Sequence, residues 1–245
     1  MLDACPVCGS EEAADVGSKA GHAYRRCGEC RLIYAPEMPT PAMFAEAYGK
    51  YRTRKRVVTR KVLKLAPMIL AQRFRSWRRG RSAPMRYLDI GSNTGYNTEA
   101  ARRLGCEAHG LETSAKAVAF AREEYPRCTF HNMEIGELAA QGVTFDLIYC
   151  SEVIEHVPEP HAFVAALARL SHPGTLLFLT TPDAGHWKVP EDLMSWKEVI
   201  PVEHLRLYDR ANLKRLLAMH GFQVDHSIPM LRANQRHYCS LVGSP

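Results

Sequence analysis

Four cysteines near the N-terminus have the type and spacing of a metal site. Cys5 and Cys8 form one CxxC pair, and Cys27 and Cys30 form a second pair after an 18-residue spacer. Two such pairs supply four thiolates to one tetrahedral Zn²⁺ ion. The segment is too short to fold on an apolar core alone, so we expect zinc binding and folding to be coupled. Four thiolates leave no coordination position open for catalysis, and the predicted role of the zinc is structural.

A glycine loop, GSNTG at residues 91–95, is the second candidate site. It follows an apolar segment and precedes a helical one, and glycines at such a turn let the backbone approach a nucleotide cofactor. Glu112 comes 21 residues after Gly91, at the end of the next apolar segment. A carboxylate there can accept hydrogen bonds from ribose hydroxyls. These features are typical of sites for NAD and for S-adenosylmethionine.

Asp89 favours the second of these cofactors. An acidic side chain at the end of the first strand suits a cationic amino-acid group, whereas it would repel a pyrophosphate. The loop also lacks the GxGxxG pattern of dinucleotide sites, because its spacing is GxNxG. The residues therefore indicate an S-adenosylmethionine site.

Strand and helix patterns alternate around these residues. The predicted strands are residues 85–90, 107–111, 128–131, 145–150, 176–180, 222–228 and 238–242. Helices are expected to end near residue 104 and to span about 114–125, 161–170 and 209–220. This alternation predicts an α/β fold, namely a Rossmann-like, seven-stranded, doubly wound sheet with helices on both faces.

The chain divides into three predicted parts. Residues 1–36 form a small zinc ribbon, residues 37–84 a basic helical connector or cap, and residues 85–245 the cofactor-binding domain. Pro67 is expected to kink or divide the connector helix. The apolar residues that predict this helix are Val58, Val62, Leu65 and Ile69.

Charge is concentrated in the connector. Residues 50–86 contain 14 Lys or Arg and no Asp or Glu, while the whole chain carries a net charge of +6. Such a segment attracts phosphates, nucleic acid or an anionic membrane surface, or else forms a solvated helical face. No apolar run reaches the roughly 20 residues of a membrane span, and no signal-peptide pattern is present, so we expect a cytoplasmic protein. In that compartment the other cysteines are expected to be buried thiols: Cys106, Cys128, Cys150 and Cys239.

Residues 85–245 resemble the class I S-adenosylmethionine-dependent methyltransferases. LDIGSNTG is similar to the first motif of that family, GLETS to its second and FDLIYCSEVIEHVPEP to its fourth. PGTLLFLTTP resembles the strand that follows, and HLRLYDRANLKRLLAMHGF the helix before the last two strands. The subgroup that the chain most resembles contains small-molecule, lipid-quinone and sugar methyltransferases.

The resemblance implies a role for individual residues. Asp89 and the loop residues Gly91, Asn93 and Gly95 would hold the methionine end of the cofactor. The family has glycine where this chain has Asn93, and asparagine tolerates left-handed backbone, so the turn is expected to persist. Further along the chain, the implied contacts are Glu112 with the ribose, Asn132 and Met133 with the adenine, and Ser151 with the sulfonium. Asparagine at position 132 departs from the more usual aspartate.

Methyl transfer to a hydroxyl requires a base, and two histidines are candidates. His156 follows the fourth strand at the rim where an acceptor should enter, and His204 lies in a long insertion, residues 182–207, that is expected to roof the pocket. Glu152, Glu155 and His156 could instead hold a divalent ion, or His156 could be structural. Aromatic residues in and next to the insertion could line an acceptor pocket or simply pack as a lid: Trp187, Trp196 and Tyr208.

Three functions are consistent with the sequence. The first is transfer of a methyl group from S-adenosylmethionine to a small-molecule or saccharide hydroxyl in a biosynthetic pathway, with the basic connector gripping a phosphate of the acceptor. The second is methylation of RNA held by the ribbon and the connector. The third is a non-catalytic binding module that keeps the fold. CSEV after the fourth strand, in place of an Asn-Pro-Pro-Tyr type of signature, favours the small-molecule acceptor.

Overall fold

The computed structural model describes residues 1–49, 57–81, 83–229 and 234–241. The strands are β1 (Ala13–Lys19), β2 (His22–Cys27), β3 (Ile33–Tyr34), β4 (Arg86–Ile90), β5 (Glu107–Leu111), β6 (Thr129–His131), β7 (Phe145–Ser151), β8 (Ser171–Pro182), β9 (Arg206–Leu207), β10 (Phe222–Pro229) and β11 (Asn234–Leu241). The helices are α1 (Pro41–Gly49), α2 (Val58–Arg78), α3 (Tyr96–Arg103), α4 (Ala115–Glu124), α5 (Ile135–Ala140), α6 (Pro160–Arg169) and α7 (Arg210–Met219).

Seven strands form one sheet in the order β10-β11-β8-β7-β4-β5-β6. The five strands from β4 to β8 run parallel, and β11 pairs antiparallel with both β8 and β10. This arrangement confirms the predicted Rossmann-like, seven-stranded α/β fold. The strand order reverses between β4 and β7, and ligands of such folds bind beside the carboxyl ends of the strands at this point.

Alternate residues of the central strands face two separate apolar layers. Leu88 and Ile148 pack with residues of α5, α6 and α7, whereas Tyr87 and Leu147 pack with residues of α2, α3 and α4. Because successive side chains of a strand point to opposite faces, the sheet is covered on both sides. The connector helix α2 is therefore a layer of the main fold.

Helix α2 runs through Pro67 as a single element, so the proline does not divide it. Pro67 is exposed, and the carbonyl that loses its hydrogen bond to a proline on the solvent side of a helix can bond to water instead. Gln72, on the buried side, donates to the carbonyls of Asp146 (2.8 Å) and Gly174 (2.7 Å) and ties α2 to the sheet. Residues 50–56 of the basic segment lie outside the described residues.

The N-terminal module shares its sheet with the rest of the chain. Strands β1, β2 and β3 continue into β9, which pairs antiparallel with β3. The insertion that leads to β9 also shares an apolar cluster with the module, in which Tyr24 and Ile33 belong to the same core as Trp196 and Val199. The predicted boundary at residue 36 thus falls between β3 and its partner strand.

Most predicted strand bounds agree with the structure to within one residue, and those of β8 and β11 do not. Strand β8 extends beyond its predicted range at both ends, from Ser171 to Pro182, and β11 begins earlier than predicted, at Asn234. The predicted end of the last strand, Val242, lies outside the described residues. No described helix combines the length and the apolar content of a membrane span.

Candidate active site

The loop between β4 and α3 contains three residues in left-handed backbone. Gly91 has φ +68°, Asn93 +48° and Gly95 +76°. Asn93 preserves the turn. Its backbone N–H donates a 2.9 Å hydrogen bond to the carboxylate of Glu112, which follows β5. The loop is therefore fastened to the neighbouring strand end.

Neighbouring side chains leave no room for larger residues at the two loop glycines. A Cβ atom at Gly91 would lie 2.7 Å from Val153, and one at Gly95 would lie 2.6 Å from the ring of Phe130. Both distances are well below the optimal separation of non-bonded carbon atoms. Glycine is thus required here both for the backbone angle and for the close approach of these two side chains.

Asp89 lies near the end of β4, directly before this loop. Its carboxylate is buried and accepts a 3.2 Å hydrogen bond from the hydroxyl of Thr98 in α3. Burial, which disfavours the charged form, raises the pKa of Asp89 to about 7. Two buried atoms of the same region, Ser92 Oγ and Asn97 Oδ1, have no hydrogen-bond partner among the described residues. A buried carboxylate near unsatisfied polar atoms is an environment that a polar, cationic ligand would complete.

A cavity of about 330 Å³ opens at this point. Four of the residues expected to bind the cofactor line it, namely Asp89, Gly91, Asn93 and Ser151. The lining also includes residues that were not expected to bind the cofactor: Lys61, Ser92, Tyr96, Asn97 and Glu152. Lys61 belongs to the basic helix α2, and its Nζ lies 4.8 Å from the centre of the Tyr96 ring.

The residues expected to bind the ribose and the adenine follow strands β5 and β6. Glu112 accepts hydrogen bonds from the amides of Asn93 and Ser114, each 2.9 Å long. The side-chain amide of Asn132 donates to the carbonyls of Glu112 (3.0 Å) and Thr113 (2.9 Å), which positions the chain after β5. Met133 is half-buried against the core beyond them. The structure thus brings Glu112 and Asn132 into contact. The contacts of these residues with the ribose and the adenine stay predictions.

A second cavity, of about 230 Å³, adjoins the first. Ser151 and Glu152, at the end of β7, line both cavities. The other residues that line the second cavity are Lys64 of α2, Thr180 of β8, and Asn234 and Arg236 of β11. Two compartments that meet at one strand end provide separate places for a cofactor and an acceptor.

Glu152 is held at this junction by side-chain hydrogen bonds. Thr180 Oγ1 donates to Glu152 Oε1 (2.8 Å), and Asn234 donates to the other carboxylate oxygen at 3.2 Å. The backbone of Glu152 is in the left-handed region, with φ +56°, a conformation that residues with a Cβ adopt mainly where the surrounding structure imposes it. The residue as a whole is exposed at the mouth of the cavities. The cavity walls nevertheless shield its carboxyl partly from water, and this raises the pKa of the carboxyl.

Comparison with known proteins decides the family. A family model described as a methyltransferase domain matches residues 52–227, more than half of the chain. The chain belongs to this methyltransferase domain family. A ubiquinone biosynthesis O-methyltransferase of Aromatoleum aromaticum is 38% identical over 104 residues, a match that covers 40% of this chain and 44% of the relative. The chain therefore matches less than half the length of that curated relative.

Solved structures with the same fold include other methyltransferases. An S-adenosylmethionine-dependent methyltransferase from Clostridium acetobutylicum has a TM-score of 0.59 at 11% identity, over 82% of this chain and 99% of that chain. Magnesium protoporphyrin IX methyltransferase from Synechocystis, with bound S-adenosylmethionine, has a TM-score of 0.51 at 16% identity, over 81% and 89% of the two chains. The family match and this shared fold confirm the resemblance to class I methyltransferases.

The two histidines expected to act as a base line neither of the two cavities. The rings of His156 and His204 contact each other edge to face, with centroids 4.7 Å apart. His156 Nδ1 donates to the carbonyl of Glu203 (2.9 Å), and His204 Nδ1 donates to that of Glu198 (2.7 Å). Burial lowers the pKa of His156 to about 4. In the structure these rings pack the insertion against the turn that follows β7.

The divalent-ion site suggested for Glu152, Glu155 and His156 has a different composition in the structure. Glu155, His156 and His204 have ligand atoms within 4.8 Å of one another. The carboxylate of Glu152 instead accepts the hydrogen bonds of Thr180 and Asn234. The three suggested ligands therefore do not converge, and His204 takes the place of Glu152 in this cluster.

The aromatic residues in and next to the insertion have three separate environments. Trp187 is exposed, Trp196 is buried beside the ribbon, and Tyr208 is buried in the core of the main fold. None of these three side chains lines either of the two cavities. Packing, and not an acceptor pocket, accounts for the two buried ones.

The four N-terminal cysteines form a compact cluster. Their sulfur atoms all lie within 4.8 Å of one another, with Cys5 and Cys30 3.5 Å apart and Cys8 and Cys27 3.4 Å apart. Four sulfurs about 2.3 Å from a tetrahedral zinc ion would be about 3.8 Å apart, so the cluster fits this ion. The amide of Cys30 also points at the sulfur of Cys27 (3.4 Å), as expected of a CxxC turn.

Lys61, Lys64 and Arg236 are cavity residues whose positions were not predicted. The spacing of Lys61 and Lys64 places both on one side of a helix, and the sequence of the basic segment already displays this spacing. The position of Arg236 depends on the pairing of β11 with β8, in which Arg236 lies opposite Thr180. That register is a tertiary feature and has no local sequence signal.

Proposed function

We propose that this protein transfers a methyl group from S-adenosylmethionine to a hydroxyl of a small, anionic acceptor in a biosynthetic pathway. The main observation in support of this proposal is that two cavities adjoin each other at Ser151 and Glu152. One cavity is lined by Asp89 and by residues of the glycine loop, a lining that suits the cofactor, and the other contains two basic side chains. Family membership and the ubiquinone-pathway relative, an O-methyltransferase by name, support the reaction class.

The first cavity suits S-adenosylmethionine, which would supply an electrophilic methyl group on a sulfonium. Asp89 would pair with the ammonium of the methionine end, and Ser92 and Asn97 offer it unsatisfied polar atoms. Lys61 carries the charge that suits the carboxylate of the same end. Glu112, hydrogen bonded to the loop, would accept the ribose hydroxyls. Ser151 lines both cavities and would stand beside the sulfonium.

The second cavity suits an acceptor with a phosphate. Lys64 and Arg236 line it, and neither has an ion-pair partner among the described residues. Burial, followed by repulsion from Lys61 and Arg236, lowers the pKa of Lys64. An anionic group on the acceptor would relieve this repulsion and fix the hydroxyl next to Glu152.

In this proposal Glu152 takes the proton of the acceptor hydroxyl. Its raised pKa makes it a stronger base than an ordinary carboxylate, and Thr180 and Asn234 fix its direction. His156 and His204 are the sequence-based rivals for this role. His156 with a pKa of about 4 is a weak base, and the two rings line neither cavity. These observations favour Glu152 over the two histidines.

The cysteine cluster would hold a structural zinc ion. Strand β3, which follows the second CxxC pair, is paired with β9, and Tyr24 donates a 3.2 Å hydrogen bond to the carbonyl of His204. His161 of α6 also donates to the carbonyl of Val7, inside the first CxxC pair (3.1 Å). Zinc would thus stabilise the insertion and its contact with the turn after β7, at a distance from the reacting atoms.

A transfer assay tests the proposal. Zinc-loaded protein and tritiated S-adenosylmethionine would be incubated with matched hydroxylated compounds, each in a phosphorylated and an unphosphorylated form, and with RNA. We expect transfer to a phosphorylated compound. We also expect Arg236→Gln and Lys64→Gln to raise the KM for that acceptor about tenfold, the effect of about 1.4 kcal/mol, with little change in cofactor affinity. Transfer to RNA alone would support the RNA-methyltransferase alternative, and cofactor binding without transfer to any class would support the non-catalytic alternative.

A further inference from the structure

Helix α2 presents an apolar stripe to solvent. Its members are Leu63, Leu70, Phe74 and Trp77, which are 72%, 60%, 58% and 70% exposed. Their spacing of seven, four and three residues places them on one side of the helix. The opposite side, with Leu65 and Ile69, is buried against the sheet. The stripe belongs to none of the three apolar clusters formed by the described residues.

The stripe differs from the scattered apolar residues of an ordinary surface. The rings of Phe74 and Trp77 lie 5.8 Å apart, so two of its largest members are in contact. Single exposed apolar side chains are common on monomeric proteins, whereas contiguous ones mark surfaces that bind a partner or a membrane.

The charges of α2 indicate what kind of partner the stripe would bind. The helix contains six Lys or Arg and no Asp or Glu. At about 100° per residue, the basic residues beside the stripe fall mainly along one of its edges: Arg60, Lys64, Arg75 and Arg78. A helix with an apolar face of Trp, Phe and Leu beside a basic face is the pattern of helices that lie in the interface of an anionic bilayer.

Two other occupants fit less well. A second copy of α2 would bring like charges together, and a stripe about 21 Å long and one helix wide is small beside the roughly 1,200 Å² of a stable interface. Single-stranded RNA stacks its bases on aromatic rings, but Leu63 and Leu70, half of the stripe, are aliphatic. Charge and side-chain type thus both favour lipid.

We propose that the outer face of α2 docks the protein on anionic lipid bilayers. Leu63, Leu70, Phe74 and Trp77 would enter the boundary between headgroups and acyl chains, while the basic edge contacts lipid phosphates. The same helix lines both cavities through Lys61 and Lys64, so the docked helix would hold the active site close to the membrane surface. This docking does not depend on methyl transfer.

Vesicle sedimentation of the full, zinc-loaded chain tests the proposal. The vesicles are pure phosphatidylcholine and a mixture of phosphatidylcholine with about one quarter phosphatidylglycerol, an anionic lipid. We expect binding to the mixed vesicles only, and roughly a fivefold or greater loss of bound protein for Phe74→Ala/Trp77→Ala and for Arg75→Gln/Arg78→Gln.

Trp187→Ala is the matched control, because Trp187 is also exposed, at 82%, but lies outside α2. This variant should bind vesicles as the wild type does. All of these substitutions are at exposed or half-exposed positions, and unchanged thermal melting would verify folding.

Three outcomes would overturn the proposal. The first is absence of binding to the mixed vesicles at low salt. The second is binding that the α2 variants share in full with the wild type. The third is a stable dimer or an RNA complex that the wild type forms and the Phe74→Ala/Trp77→Ala variant does not, because the stripe would then have another occupant. Failure of vesicle binding would leave the methyl-transfer proposal standing, since that is tested without lipid.

Discussion

Thr180 donates a 2.8 Å hydrogen bond to Glu152, and through it β8 directs a carboxylate into the space where two cavities meet. The hydroxyl of Ser151, next to Glu152 in the chain, lies 2.8 Å from the same threonine hydroxyl. Parallel pairing of β7 with β8 sets Ser151 opposite Thr180. The position of the proposed base is therefore a consequence of sheet register, and it depends on groups from two adjacent strands.

Glu152→Gln removes the proposed base and preserves the shape of the side chain. We expect kcat to fall by roughly 10²-fold or more, the usual contribution of a general base, with cofactor affinity nearly unchanged. Steady-state kinetics with the acceptor and titration with S-adenosylhomocysteine measure the two quantities. Glu159→Gln, at an exposed residue in the same segment, is the matched control. If His156→Ala or His204→Ala reduced kcat by this factor and Glu152→Gln did not, the histidine assignment would be correct.

Cofactor binding should depend on pH through Asp89. Because burial raises the pKa of Asp89 to about 7, its carboxyl becomes protonated as the pH falls below this value and then cannot pair with an ammonium. We expect S-adenosylmethionine to bind several-fold more weakly at about pH 6 than at about pH 7.5. Asp89→Asn should bind weakly at both values. Calorimetric titration checks this, and an equal pH effect in the variant would assign the titration to another group.

Asn93 should be replaceable by glycine but not by alanine. A residue with an ordinary Cβ incurs a cost of about 1 kcal/mol at its φ of +48°, a cost that glycine does not incur. Asn93→Ala is thus expected to lower the free energy of unfolding by about 1 kcal/mol, and Asn93→Gly to preserve it. Urea denaturation measures both values. Equal losses for the two variants would show that the asparagine side chain, and not the backbone, is what stabilises the loop.

Removal of zinc should affect the insertion more than the cofactor site. Cys8→Ser is expected to lose the metal and lower the melting temperature, because the ribbon shares a sheet and an apolar core with the insertion. S-adenosylhomocysteine should still bind, since no ribbon residue lines the first cavity. Metal analysis and thermal melting provide the readouts. Cys128→Ser, at a half-buried cysteine outside the cluster, should retain zinc, and loss of metal from this control would contradict the assignment of the site.

Local sequence patterns were sufficient for the main features of the fold. Alternation of apolar strands and helices predicted the seven-stranded sheet, and the glycine loop after β4 predicted the turn at Gly91, Asn93 and Gly95. Asp89 and Ser151 were expected to bind the cofactor, and both line the first cavity. The expectations for the sheet, the loop and Asp89 agree with the structure because each one depends on residues that are neighbours in the chain, whereas the expectation for Ser151 came from the family resemblance.

Features that depend on long-range pairing were not predicted. Strand β9 has only two residues, and its partner β3 lies far away in the sequence; no local period reveals such a pairing. Arg236 reaches the second cavity only because β11 runs antiparallel to β8. His156 was a reasonable base by residue type, but its ring packs against His204, a contact between the turn after β7 and the insertion, which are far apart in the sequence.

Calorimetric titration of zinc-loaded protein with S-adenosylhomocysteine tests the central claim most directly. The geometry of the loop, Asp89 and Glu112 predicts one bound molecule per chain, with affinity reduced roughly tenfold or more by Asp89→Asn, the loss of a charged partner, and nearly unchanged by Glu152→Gln. Absence of binding to the wild-type protein, or binding that Asp89→Asn leaves unchanged, would contradict the assignment of the first cavity and with it the proposed methyl transfer.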